Sequence, residues 1–324
     1  MKIGILGAGA IAREMAKTLK FMEGVCTYAI AARELKRAEA FKEAFGFEKA
    51  YGSYEEMLQD PEVELIYVAT PHSHHYEHAK MCIEHGKHVL CEKAFTVNEK
   101  EAQALFERAK EKDVLLTEAI WTRYMPARNL INEIIESGLI GTVSTVTANL
   151  SYSIWQKERI KEPSLAGGAL LDLGVYTINF ALMVLGNDIE KIDSSVLLSD
   201  KGVDMQHSIT MYFKGNKMAS LSSSTMVATN RQGIIAGDKG YIVVQNINNP
   251  EKIEVFNGNH ERIKEVEIPE QITGYEYEVY DTIEAIKKGE RECKAMPHVE
   301  TLRVMGIMDG LRKQWGMVYP MERA

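Results

Sequence analysis

Lys2-Ile3-Gly4-Ile5-Leu6-Gly7-Ala8-Gly9-Ala10-Ile11-Ala12 opens the chain, and its reading decides the fold. Lys2 to Leu6 is a short apolar run that reads as a strand, and the spacing from Ile11 to Phe21 reads as a helix. Between them stands Gly-x-Gly-x-x-Ala. Gly7 permits a tight turn, Gly9 lets the backbone approach a ligand, and Ala12 allows close packing of helix on strand. An anion at such a turn meets unpaired N–H groups and the positive end of the helix dipole. Glycine-rich turns are common, so the weight comes from the strand before, the helix after and the place at the chain start. Gly7, Ala8, Gly9, Ala10 and Ile11 therefore predict a dinucleotide pyrophosphate site. The plainer alternative is a tight turn that binds nothing.

The same alternation continues outward. Val25 to Ala31, Glu64 to Ala69, Lys87 to Cys91 and Val114 to Glu118 read as strands. Glu34 to Phe45, Ser73 to His85 and Asn98 to Lys112 read as helices, with Gly86 suited to the left-handed position that ends one. Strands alternating with helices predict parallel pairing and right-handed crossovers. The continuous apolar run Leu65-Ile66-Tyr67-Val68-Ala69 fits a sheet covered on both faces. A site for NAD usually carries an acid about 20 residues on, at the end of the second strand. Here that strand ends Ala31-Ala32-Arg33, with Lys36 and Arg37 one turn further. A guanidinium pairs bidentately with phosphate and stacks on adenine, so Ala32, Arg33 and Arg37 predict NADP over NAD. The alternative is a set of solvated charges at an exposed helix start.

After about Glu118 the pattern changes. Pro126 to Ser137 reads as a helix, Val143 to Tyr152 alternates, and a glycine-led helix runs from about Leu165 to Leu185. From Ile189 to Ile268 come short alternating segments parted by turns such as Lys214-Gly215-Asn216 and Asn257-Gly258-Asn259. Two helices, roughly Tyr275 to Lys288 and Glu300 to Trp315, close the chain. The fold class is α/β: a doubly wound parallel sheet over residues 1–118, then an α/β domain with an open, mostly antiparallel sheet over residues 119–324. At roughly 150 residues per domain, a 324-residue chain also gives two.

Lys and Arg number 38 against 46 Asp and Glu, a net charge of −8, which gives no electrostatic case for a nucleic-acid partner. Hydrophobic residues at 45% and charged residues at 26% exclude disordered and fibrous classes. Cys26, Cys82, Cys91 and Cys293 are scattered, which argues against a disulfide framework or zinc ribbon. The N-terminal run meets glycine before a signal-peptide core forms. Ala166 to Gly186 carries Asp172 as its single charge, among glycines and polar Tyr176, Thr177 and Asn179. That composition points to a buried helix lining a site and not to a membrane span. The expectation is a cytoplasmic chain without a membrane partner.

Six of the nine histidines lie between His72 and His88. His74 and His78 are four apart on a predicted helix, yet no carboxylate completes a ligand set, and no metal is expected. Thr70-Pro71-His72 ends a parallel strand instead, where ligand crevices form. The next strand ends Cys91-Glu92-Lys93. Lys93 is a candidate proton donor or orienting cation, against a plain Glu–Lys surface pair, and Cys91 reads as a packed thiol. Asp172 and Tyr176 are four apart and share a helix face. A buried carboxylate and phenol need partners. An ammonium such as Lys93 would stabilise a phenolate, so Lys93, Tyr176 and Asp172 form a candidate catalytic set exchanging a proton with a hydroxyl or carbonyl. The alternative is a core tyrosine satisfied by Asp172.

Taken in order, Gly7 to Ala12, Thr70-Pro71 with His75, Gly86-Lys87-His88-Val89 running into Glu92-Lys93, and Asp172-Leu173-Gly174 with Tyr176 resemble the glucose–fructose oxidoreductase / inositol dehydrogenase (Gfo/Idh/MocA) family. The likeness covers the whole chain. Ala31-Ala32-Arg33, Ala50-Tyr51-Gly52-Ser53-Tyr54, Glu118-Ala119-Ile120-Trp121-Thr122-Arg123 and Gly167-Gly168-Ala169-Leu170-Leu171-Asp172 are most similar to its branch of dimeric dihydrodiol dehydrogenases and NADP-dependent xylose dehydrogenases. The resemblance implies an NADP-binding Rossmann domain and a substrate domain whose sheet forms a homodimer through its outer face. It implies Tyr176 as acid/base, Lys93 as its cation and Asp172 in the substrate pocket. It places Trp121 and Arg123 near nicotinamide or substrate, and Thr70, Pro71, His72, His75, Glu92 and Lys93 along the cofactor. Ala94 departs from the family's usual proline after Glu-Lys, Tyr176 stands where the family often has His, and His72 replaces the more usual Asn. The implied activity is NADP-dependent hydride transfer to or from a secondary alcohol or carbonyl of a sugar, polyol or cyclic diol. Two rivals stay open: a non-catalytic NADP-sensing regulator on the same fold, and a lyase or hydrolase that keeps its nicotinamide permanently.

Overall fold

A computed structural model describes residues 1–323. It divides into two compact units, Met1–Tyr124 with Gln271–Gly306, and Met125–Glu270 with the residues from Ile307 on. In the first unit, β1 (Lys2–Leu6), β2 (Cys26–Ala31), β3 (Lys49–Tyr51), β4 (Leu65–Val68), β5 (His88–Glu92) and β6 (Leu116–Ala119) form one sheet in the order β3-β2-β1-β4-β5-β6. All neighbours pair in parallel. The helices α1 (Ala10–Lys20), α2 (Leu35–Phe45), α3 (Tyr54–Leu58), α4 (His75–Glu84) and α5 (Glu99–Lys112) supply crossovers. β4 is buried at every position, as its unbroken apolar run requires. The strand order reverses between β1 and β4, which is where an open α/β sheet leaves room for a ligand at its carboxyl edge. β3 and α3 are too short for periodicity to reveal.

In the second unit, α6 (Pro126–Glu136) leads into β7 (Val143–Ser151), α7 (Glu158–Lys161) and α8 (Val175–Leu185). Then follow β8 (Ile189–Leu198), β9 (Asp204–Phe213), β10 (Lys217–Ser224), β11 (Gly233–Gly237), β12 (Gly240–Gln245), β13 (Lys252–Asn257) and β14 (Arg262–Glu267). The eight strands run β14-β13-β12-β11-β7-β10-β9-β8. β7 and β10 pair in parallel and the remaining pairs are antiparallel, so the sheet is not a simple meander. Alternation assigns its faces: on β10, Ala219 and Leu221 are buried while Met218, Ser220 and Ser222 are exposed. α8 packs on the buried face, over β7 and β10.

The glycine-led stretch is not the single helix expected from Leu165 to Leu185. A 3₁₀ turn covers Pro163–Leu165, Leu170–Gly174 is π-helical, and α8 begins only at Val175. Gly168, at φ +118°, parts the first two. Pro163–Leu185 has a mean hydropathy of 1.7 and is long enough to cross a membrane, yet 89% of its most apolar window is buried. That is the position of a core helix.

The chain then returns through α9 (Glu276–Lys287) and α10 (His298–Gln314), and the division between units falls within α10 after Gly306. The opening stretch of the first unit ends at Tyr124, close to the expected boundary after residue 118. Residues 271–306, assigned from sequence to the second domain, belong with the first unit. The reason is apolar: Val279 and Ile283 of α9 join Ile3, Leu19, Ile30 and Leu90 in one core cluster.

Candidate functional site

The turn after β1 has the geometry its glycines suggest. Gly7 sits at φ +106°, and a Cβ there would lie 2.9 Å from the carbonyl oxygen of Ala69, at the end of β4. Gly9 is the N-cap of α1 and offers no side chain to the first N–H groups, and no acid stands in that turn. A Cβ at Gly9 would meet only Ala69 O, at 3.9 Å, an ordinary contact. Packing within the chain thus does not require glycine at this position. What it leaves is open backbone at a helix N-terminus, which suits a pyrophosphate.

Where β2 ends, Ala31 and Ala32 are buried while Arg33 and Arg37 are exposed. Arg33 faces a small aromatic group whose titration it influences: Tyr54, His74 and His78. Tyr54 meets His78 edge-on at 4.8 Å, His74 stacks on His78 at 5.6 Å, and His78 Nδ1 lies 3.0 Å from Thr70 Oγ1. Burial, aided by its cationic neighbours, pushes the His78 pKa down to about 4, so its ring is neutral at pH 7. Among the described residues, no group of three or more His, Cys, Asp or Glu is arranged to hold a metal ion.

His75 bridges two turns. Its side chain is fully buried, with Nδ1 2.8 Å from Ala94 O and Nε2 2.8 Å from Thr70 O. Burial outweighs these carbonyls and holds the ring's pKa at about 4, so only one nitrogen donates at neutral pH. The ring ties the turn after β4 to the turn after β5. Thr70, Pro71 and His72 remain partly or fully exposed beside it.

Lys93 follows β5, half-buried, and the Lys93–Ala94 peptide is cis although no proline follows the lysine. Glu92 is buried; its carboxylate accepts hydrogen bonds from Tyr67 Oη and, at 3.1 Å, from the Lys93 backbone N–H. Two further acids lie close enough to feel it, Glu118 on β6 and Glu278 on α9. Burial pushes Glu118 up to about 7, and burial with the two neighbouring carboxylates pushes Glu278 well above its usual range. Trp121 stacks on Tyr275, centroids 4.1 Å apart and 9° from parallel. Arg123, expected near nicotinamide or substrate, is only 4% exposed and pairs with Glu300 at 3.0 Å. Its guanidinium is thus enclosed beside an acid of the same unit.

In the second unit, Asp172 lies in the π-helical turn and Tyr176 in the first turn of α8. Both are buried, with Tyr176 7% exposed. Arg159 holds Asp172 with two contacts, Nη1 to Oδ1 at 2.8 Å and Nη2 to Oδ2 at 3.3 Å. Sequence reasoning missed Arg159, since α7 reads only as a short charged run, and missed Tyr275 and Glu300, which lie far along the chain from their partners.

Residues 1–120 match the oxidoreductase family with the NAD-binding Rossmann fold, and residues 129–243 match the GFO/IDH/MocA C-terminal domain. The chain is 34% identical to trans-1,2-dihydrobenzene-1,2-diol dehydrogenase of Xenopus tropicalis over 331 residues, covering 98% of this chain and 99% of that one. Against the Homo sapiens enzyme of the same name, identity is 30% over 331 residues, covering 100% and 99%. Two solved structures share the fold. KijD10, a 3-ketoreductase from Actinomadura kijaniata in complex with NADP and TDP-benzene, superposes with a TM-score of 0.89 at 24% identity over 97% of each chain. The aldose-aldose oxidoreductase from Caulobacter crescentus, complexed with glycerol, gives 0.88 at 19% over 98% and 97%.

Proposed function

The chain belongs to the Gfo/Idh/MocA oxidoreductase family, and we propose that it is an NADP-dependent dehydrogenase for a secondary hydroxyl or carbonyl on a cyclic trans-diol or sugar. The observation that carries this reading is the uncapped start of α1 together with a β2 that ends in an exposed arginine and no acid. The full-length relatives are dehydrogenases, which weighs against a non-catalytic sensor. Their name, trans-1,2-dihydrobenzene-1,2-diol dehydrogenase, supports the cyclic diol as substrate class.

In this reading Gly7, Ala8, Gly9, Ala10 and Ile11 would hold the pyrophosphate, and Ala32, Arg33 and Arg37 the adenosine end with its 2′-phosphate. Thr70, Pro71, His72, Glu92 and Trp121 would border the remainder, with His75 shaping the two turns. The bound nicotinamide supplies the acceptor or donor for the hydride. Tyr176 Oη takes the hydroxyl proton in oxidation and returns it in reduction. An ammonium such as that of Lys93, if brought beside it, would favour the phenolate form of Tyr176. Asp172, fixed by Arg159, presents a carboxylate of set orientation in the turn that precedes Tyr176. Tyr176 and its neighbours on α8 are buried, which would limit water on the proton's path.

The reading includes a cytoplasmic homodimer. Four unpaired cysteines support a reducing compartment. The outward row Thr210, Ser220, Thr147 and Ile234 crosses four strands without a charge, which supports sheet-to-sheet association. Light scattering is then expected to give twice the 36.5 kDa chain mass, and a single-chain mass contradicts it. The function is tested by following NADPH absorbance with a panel of cyclic trans-diols, sugars and their carbonyl forms. Turnover with NADP is expected on at least one diol or sugar. Tight cofactor retention with no net absorbance change on any of them would point to a lyase or hydrolase instead.

A further inference from the structure

One buried pair in the second unit has no place in the chemistry above. Asp204, the first residue of β9, is fully buried, and His207 lies three residues further along the strand with its side chain equally enclosed. Asp204 Oδ2 accepts from the Leu170 backbone N–H at 2.7 Å and lies 3.2 Å from His207 Nδ1. The outer atoms of the pair, Asp204 Oδ1 and His207 Nε2, find no hydrogen-bond partner among the described residues. Both atoms face glycines instead. A Cβ on Gly168 would collide with Asp204 Oδ1, and a Cβ on Gly174 would stand 2.9 Å from His207 Nε2. Trp315 stacks behind His207 at 5.4 Å, and Tyr319 Oη donates to the Gly167 carbonyl at 2.6 Å.

These residues meet one short piece of backbone at intervals of about one helical turn: Tyr319 bonds Gly167, Asp204 bonds Leu170, and the His207 ring fills the space a side chain at Gly174 would need. That piece contains the π-helical turn carrying Asp172, and Tyr176 follows two residues after Gly174. A π-turn holds one residue more than an α-turn, and π-turns collect at functional sites. Relaxation of Leu170–Gly174 to α-helix would therefore turn everything after it by about 100° about the axis, the rotation per residue of an α-helix. Tyr176 would then point elsewhere.

We infer that Asp204 and His207, backed by Trp315 and Tyr319, are positioning residues that lock the π-turn and thereby aim the Tyr176 phenol. The inference rests on the catalytic role given to Tyr176 above. Steady-state kinetics of His207→Leu, His207→Asn and Tyr176→Phe, together with the double variant His207→Leu/Tyr176→Phe, tests it with NADP and the best substrate of the panel. His207→Leu is expected to lower kcat by about 10-fold or more, since small misplacements of a reacting group are costly, with KM for NADP unchanged. His207→Asn keeps a donor where Nδ1 stood and is expected to retain kcat within about three-fold. In the Tyr176→Phe background the His207→Leu loss is expected to vanish, because the two act through one group. Should His207→Leu not accumulate folded, Tyr319→Phe, which deletes the grip on Gly167, takes its place in the same cycle. Unchanged kcat, or a loss that adds in full to that of Tyr176→Phe, overturns the inference. Full activity in Tyr176→Phe alone would overturn the parent reading instead.

Discussion

Arg33 is the residue on which cofactor choice turns. An acid at this place accepts the ribose hydroxyls and repels a 2′-phosphate, whereas an exposed guanidinium attracts it. A charge-assisted hydrogen bond is worth about 1.5–3 kcal/mol, so Arg33→Asp is expected to raise KM for NADP by roughly 10- to 100-fold while that for NAD moves little. Equal changes for both nucleotides would remove Arg33 from the site. Arg33, Gly7 and Gly9 were legible in the sequence because their meaning depends on neighbours a few residues away. His75 was legible as important, but its surroundings were not: a motif marks a position, and only packing reveals that both ring nitrogens face backbone carbonyls. Arg159 and Glu300 were not legible, since each gains its meaning from a partner brought in by the fold.

At the scale of elements, the carboxyl ends of β5 and β6 and the start of α9 bring Glu92, Glu118 and Glu278 into one buried place. Glu118 accepts from Thr301 Oγ1 at 3.0 Å, yet burial raises its pKa from 4.5 to about 7. Between those values the folded chain holds a proton that the unfolded chain has released, so stability falls as pH rises through this window. A shift of that size corresponds to on the order of 3 kcal/mol at pH 8. Glu118→Gln, neutral at every pH, is expected to raise Tm over the parent at pH 8 and to match it near pH 4.5. A Tm difference independent of pH contradicts this assignment. Period-two and helical spacing located most strands and helices to within a few residues. They did not reveal the π-turn at Leu170–Gly174, because five apolar-rich residues show no period that separates π from α.

For the whole molecule, the alternation of strands and helices sufficed for a parallel sheet, and the shorter alternating segments for an open second one. The parallel pairing of β7 with β10 and the return of residues 271–306 to the first unit were not legible. Both depend on which apolar faces meet, and amphipathic spacing in α9 says only that one face is buried. The account as a whole stands on Tyr176 as the group that moves the proton. Its most direct test is the turnover of Tyr176→Phe on the best diol or sugar, measured alongside NADP binding. Removal of a general acid/base is expected to lower kcat by roughly 10²–10⁴ with NADP affinity nearly unchanged. Parent-level turnover in that variant would contradict the account.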